Sequence, residues 1–196
     1  MANDKELLLV FEQALKQANP SLVQKLNTGL TVDEINKIAS SCQLTFTGEI
    51  YDLFSWKNGI QHQSIGSVAQ LLLFPNGIPF NLIEAVHDYD LLSVTKHFFE
   101  PNYFPLFYNE NEDLLLIDLD EDSETYSMIS LYSPTLLGNS EPMTIYDSLS
   151  DLLKTAISCY EQKVFWITQD GLQMDADAYY QTASTLNPNS QYWQFM

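Results

Sequence analysis

The 196-residue chain contains no arginine, and its eight basic side chains are all lysines. Arginine is the side chain that forks onto phosphate and guanine with paired hydrogen bonds, and nucleic-acid affinity rests largely on cationic contacts to phosphates. With 26 acidic residues and a formal net charge of −18, direct binding to nucleic acid or to an anionic membrane surface is not expected. Cysteine is scarce as well. Cys42 and Cys159 stand far apart and outside any Cys-x-x-Cys pattern, which fits two buried thiols in a reducing compartment better than a disulfide framework or a zinc site. No apolar run reaches the roughly 20 residues that a membrane-spanning helix needs. Asp4 and Glu6 sit where a secretory leader carries positive charge. The expectation is a cytoplasmic protein.

Catalytic signatures are missing too. There is no Gly-x-Ser-x-Gly elbow, no phosphate-cradling Gly-rich loop and no Gly-x-Gly-x-x-Gly after a strand. His62, His87 and His97 have no metal-ligand spacing. His87-Asp88 resembles the core of a metal-dependent phosphohydrolase signature without the rest of it, and the spacing of Cys42 and His62 carries no information. Asp118-Leu-Asp120-Glu-Asp122-Ser-Glu124 alternates carboxylates as an EF-hand loop does. Its sixth position is Ser123 instead of Gly, and its twelfth is Ile129 instead of a bidentate Glu, so a solvated acidic strand end is the simpler reading. Among 26 acids no catalytic pair can be singled out. The chain is therefore read as non-enzymatic, with no cofactor and no metal.

What is present is a globular composition, 45% hydrophobic and 17% charged, long enough for one domain with an extension. The stretch from Gly48 to Ile60 organises the rest. Ile50, Leu53 and Phe54 recur at helical spacing with Tyr51 and Trp56 beside them, and Asn58-Gly59 stops the pattern, Gly59 suiting a left-handed helix end. Before it, Lys5 to Ala18 reads as a helix ended by Asn19-Pro20, and Thr31 with Glu34 forms a capping box that opens another, with Ile35 and Ile38 inward. After it come a polar loop from Gln61 to Gly66 and an apolar run from Val68 to Phe74 read as a strand. A turn at Pro75-Asn-Gly77 follows, then a helical stripe through Leu82, Val86, Tyr89 and Leu92.

Asn102 to Tyr108 reads as an edge strand because Pro105 is best tolerated there. A hairpin turn at Asn109–Asp113 leads to a buried strand, Leu114–Ile117. Tyr126 to Tyr132 and Thr144 to Tyr146 are two further strands, and Ser148 caps a last major helix. Strands in one block between helices predict an α+β fold with a central antiparallel or mixed sheet flanked by helices. The division is an N-terminal helix (1–19), the main domain (20–163) and a C-terminal helical extension packed on it (164–196), with a helical pattern from Ala176 to Ala183.

Net charge alone argues first for solubility; its distribution argues for more. Between Glu84 and Glu124 lie six Asp and six Glu against the single Lys96, a net −11 of the total −18. Aromatics are interleaved with them, and aromatic anchors inside a charged rim are what a protein interface favours. Glu84, Asp88, Asp90, Glu110, Glu112, Asp113, Asp118, Asp120, Glu121 and Asp122 are the candidate partner-binding acids. Their sign calls for a basic partner, whose encounter such a field accelerates.

Four segments in order resemble the SUKH superfamily, which includes yeast cell-wall regulators and bacterial immunity proteins. They are Thr31-x-x-Glu34-Ile35; Tyr51…Trp56-Lys-Asn58-Gly59; Phe104-Pro-Leu-Phe107 with Leu114-Leu-Leu-Ile117-Asp118-Leu-Asp120; and Tyr146-Asp-Ser148-Leu149…Leu152-Leu153. The likeness spans Thr31 to Glu161. It departs from the family where Leu44-Thr45 replaces a Leu-Pro step and where the hairpin turn Asn109–Asp113 lacks Gly. The resemblance implies a SUKH-like α+β domain with Tyr51, Trp56, Asn58 and Gly59 as structural motif residues and no catalytic residues. It also implies an immunity protein that neutralises a cognate toxin domain, often a nuclease, encoded nearby. An acidic surface would then occupy the basic site that the toxin presents to nucleic acid. The alternative is a regulatory scaffold binding an endogenous protein, and a third reading, a hydrolase, would need activity lost with a single carboxylate.

Overall fold

The stripe at Leu8, Phe11 and Leu15 is the buried face of α1 (Asp4–Ala18) in the computed structural model, which describes residues 4–61, 67–135, 141–190 and 192–194. Asn19 ends α1 and also starts α2 (Pro20–Lys25), its side chain accepting from the backbone N–H of Leu22, with proline in the first turn where no donor is lost. A short strand β1 (Leu26–Thr28) follows. α3 (Val32–Cys42) opens on the expected capping box: Thr31 Oγ1 accepts from the N–H of Glu34, whose carboxylate accepts from the N–H of Thr31 at 2.8 Å. α4 (Gly48–Trp56) buries Ile50, Leu53 and Phe54 as expected.

The end of α4 differs from the expectation. Lys57 is already extended, and Lys57–Ile60 forms β2, paired antiparallel with β1. Gly59 does have a positive φ of 78°, but as a strand residue and not as a helix cap. A Cβ there would stand 2.6 Å from the backbone nitrogen of Asn81, so close approach to the next helix is what demands glycine. Residues 62–66, expected as polar loop and including His62, lie outside the described residues.

Val68–Phe74 is not a strand. Ser67 caps a 3₁₀ turn at Val68–Leu71, and the N–H of Leu73 then bonds to the carbonyl of Gly77 around the predicted turn. Leu71, Leu73 and Phe74 are all buried, so the apolar run serves as a plug beneath an irregular segment. β3 (Ile78–Pro79) comes next, and Asn81 caps α5 (Leu82–Tyr89). Asp90–Thr95 continues α5 as a π-helical turn.

β4 (Tyr103–Tyr108), β5 (Leu114–Asp118), β6 (Ile129–Tyr132) and β7 (Met143–Tyr146) complete a five-stranded antiparallel sheet in the order β3-β4-β5-β6-β7. β4 is thus not an edge strand. Pro105 is accommodated because β3 pairs only with Phe107 and Tyr108, and because the register with β5 slips between Pro105 and Phe107. β6 begins at Ile129 instead of Tyr126, the preceding residues being a turn in which Ser127 has φ 61°. β5 is buried at every position; since successive side chains point to opposite faces, both of its faces are covered.

Ser148 caps α6 (Leu149–Glu161), and a hairpin that the sequence did not announce, β8 (Phe165–Thr168) and β9 (Gly171–Met174), leads to α7 (Ala176–Leu186). α1 packs on α4 and α6, and α7 on α6. One hydrophobic cluster runs from Leu7 to Trp193, so the N-terminal helix and the segment after Lys163 share their core with the middle of an α+β domain. The tail also closes the open side of β7: Ser190 Oγ donates to the carbonyl of Thr144 at 2.9 Å and Trp193 Nε1 to that of Ile145 at 2.5 Å. Cys159 is buried and Cys42 half-buried; both are free thiols. No described helix is long and apolar enough to cross a membrane.

Candidate functional site

The four motif residues of the central stretch are joints of the fold. Tyr51 Oη donates to Asn36 Oδ1 at 2.6 Å, tying α4 to α3. Trp56 Nε1 donates to Glu12 Oε2 at 2.7 Å, tying it to α1. Asn58 Oδ1 accepts from the N–H of Leu82 at 2.8 Å while its carbonyl accepts from Asn27 Nδ2, so it joins β2 to both α5 and β1. Of the four, Asn58 and Gly59 meet the start of α5, and α5 forms one wall of the most promising surface of the molecule.

That surface is a cleft of about 410 Å³ at the hairpin-turn end of the sheet. Its floor follows from strand register. Tyr108 pairs with Leu114 and Leu114 with Tyr132, and directly opposed residues on neighbouring strands share a face, so the three form one row across β4, β5 and β6. Phe80 packs on Tyr108 at a ring-centroid distance of 4.5 Å, and Phe99 on Tyr132 at 5.2 Å. The π-helical turn after α5 supplies Leu91 and Leu92, with Lys96 and Phe98 just beyond it. Phe98 is 46% exposed and Leu91 38%, two large apolar side chains open to solvent at this cleft. Lys96 Nζ lies over the Phe98 ring, 5.6 Å from its centroid.

Carboxylates rim this floor. Asp88, at the end of α5, and Glu112, in the β4–β5 turn, both line the cleft, and Glu112 is held at φ 64° by that turn. Burial pushes the Tyr108 phenol up to about 12, with Glu84 and Asp88 adding to the effect. Burial likewise raises Tyr132, and Glu112 adds to it. The acids therefore act on the two tyrosines of the floor, which stay protonated and neutral. His87 Nδ1 lies 3.3 Å from Asp88 Oδ1 on the outer side.

The structure divides the remaining candidate acids. Glu84 is exposed on α5, Asp90 on the first residue of the π-helical turn and Glu110 on the hairpin turn. Asp120, Glu121 and Asp122 are exposed in the turn after β5, beyond the far end of a strand whose four intervals from Leu114 to Asp118 already span about 13 Å. The acids thus do not form one continuous surface. Two of them do not belong to a surface at all. Asp113 is 6% exposed and accepts from Asn109 Nδ2 at 2.8 Å. Asp118 is fully buried; it accepts from Asn102 Nδ2 at 2.7 Å, Thr125 Oγ1 at 2.7 Å and the N–H of Asp120 at 3.0 Å. Burial pushes Asp118 up, but these donors together with Ser123 outweigh it and hold the carboxyl below its ordinary value. The expected solvated strand end is instead a turn wound around its own buried carboxylate.

A second cleft, about 430 Å³, lies beside that turn and is lined by Tyr103, Glu124, Thr125, Met128, Glu141 and Met143 among others. Among the described residues no three His, Cys, Asp or Glu side chains are grouped as metal ligands. The row of tyrosines and the π-helical turn were not legible as a site in the sequence; the one available signal was the density of aromatics among acids between Glu84 and Glu124. Comparison of the chain with protein-family models gives no match, and comparison with curated proteins gives none either.

Proposed function

We propose that this chain is a non-enzymatic, cytoplasmic binding protein of SUKH type, an immunity protein that docks an acidic surface on the basic site of a cognate toxin domain. The observation that supports this reading is the cleft: a floor of aromatic and aliphatic side chains with Phe98 and Leu91 open to solvent beside it, and a rim of Asp88 and Glu112, with Glu84 near Tyr108. Apolar burial supplies affinity at such a site, and the charged rim selects and steers a partner of opposite sign. A toxin nuclease has to present cations to phosphate, and this arginine-free chain offers the complementary charge.

The test is co-purification with the C-terminal domain of any large secreted protein encoded beside the gene, at low and at high salt. A tight complex that weakens as salt rises, and protection of cells from that domain, is the expected result. No complex with any neighbouring product would transfer the cleft to a scaffold that binds an endogenous basic protein. Charge reversal of Asp88 and Glu112 together should slow association at least ten-fold, whereas reversal of Asp120, Glu121 and Asp122 should change it less.

A further inference from the structure

We propose that the cleft is a slot for a single arginine side chain of the bound protein, laid against the half-buried Tyr108 ring of its floor and paired with Asp88 and Glu112. The inference rests on the binding reading above and specifies how that site recognises its partner. The floor suits a planar cation. Tyr108 and Tyr132 flank Leu114 in register across three strands, and Phe80 packs against Tyr108 at 4.5 Å. A guanidinium stacks on ring faces and gives up water more readily than an ammonium. Both carboxylates line the same cleft as this row, Asp88 from the end of α5 and Glu112 from the β4–β5 turn. A guanidinium offers five N–H donors in a fixed plane, enough to serve both.

Among the described residues Lys96 is the one basic side chain lining the slot, and its ammonium lies 5.6 Å from the centroid of the Phe98 ring. Glu112 takes part in none of the ion pairs among the described residues. Because the sequence contains no arginine, a second copy cannot fill the slot, so the guest is a different protein. The volume of about 410 Å³ lies near the lower end of the roughly 300–1,000 Å³ typical of ligand sites. That is room for one long side chain and a small neighbour, not for a helix.

The experiment is an NMR titration of the intact protein, following the ring resonances of Tyr108 and Tyr132. The probes are acetyl-Leu-Arg-amide, its lysine analogue, and its citrulline analogue, which keeps the shape and loses the charge. The arginine peptide should shift both rings saturably, the lysine peptide should bind several-fold more weakly, and the citrulline peptide at least ten-fold more weakly. The double variant D88N/E112Q, at two solvent-accessible positions, should lose most of the preference for arginine over citrulline while keeping the wild-type melting temperature. Equal binding of arginine and citrulline peptides, equal binding of arginine and lysine peptides, or an unchanged preference in the double variant would each overturn the slot. Saturable arginine binding without any toxin complex would retire the immunity reading and leave the slot standing. A tight toxin complex indifferent to D88N/E112Q would do the reverse.

Discussion

Asp118 shows how differently one carboxylate reads from sequence and in space. By pattern it closes an apolar strand and begins an acidic run, which suggests a side chain turned to water. In the fold it is fully buried and receives hydrogen bonds from Asn102, Thr125 and the Asp120 backbone. The donors come from both sides of it along the chain, and a local reading cannot see them converge. Replacing it by Ala leaves those donors unpaired, and D118A should lose about 1–3 kcal/mol in urea unfolding. The pH dependence has a definite sign. With the folded value held below the ordinary one, the carboxylate contributes fully above the ordinary value, and that contribution is lost as pH falls through the folded value. The stability gap between wild type and D118N should therefore narrow on acidification. Gly59 was legible as a position needing φ > 0 but not as a strand residue. With φ 78° and Asn81 where its Cβ would be, G59A should cost about 1–3 kcal/mol by the same assay.

Most helices announced themselves, while α2 and most of the shortest strands did not. The Thr31–Glu34 capping box, the Ser148 cap and the apolar stripes of α1, α4 and α6 are local, so they can be read residue by residue. β1, β2 and β3 have two to four residues each and exist only through partners elsewhere in the chain, while β8 and β9, four residues each, form a local hairpin without an apolar–polar pattern strong enough to announce it. The same reasoning explains the misplaced edge: nothing near Pro105 reveals that two residues of β3 will pair beside it. At this scale the tail after α7 matters most. Trp193 buries its ring against Tyr146 and Tyr179 and bonds the carbonyl of Ile145. W193F keeps most of the ring and should lose about 1 kcal/mol; W193A should lose about 3–5 kcal/mol. Thermal unfolding of the two variants separates the hydrogen bond from the packing.

For the whole molecule, charge and aromatic content set the working range. Burial raises Tyr108 from 10.0 to about 12, and it raises Tyr146, Tyr160 and Tyr179 as well. The folded chain keeps phenolic protons that the unfolded chain releases. Stability from this source is thus intact below the ordinary phenol value and is lost as pH rises through the folded values. Phenolate absorbance and loss of helical circular dichroism should rise together above that point, and tyrosine ionisation well before unfolding would contradict the burial. The placement of the tail also bears on how the protein is made. β7 leaves the ribosome before its cover, because the side chains that occupy its outer carbonyls lie 46 and 48 residues further on. At about 5–20 residues per second, a bare strand edge persists for roughly 2–10 s in every nascent chain. For that interval the uncovered edge is open to pairing with neighbouring chains, a hazard that ends when Ser190 and Trp193 emerge and dock on it.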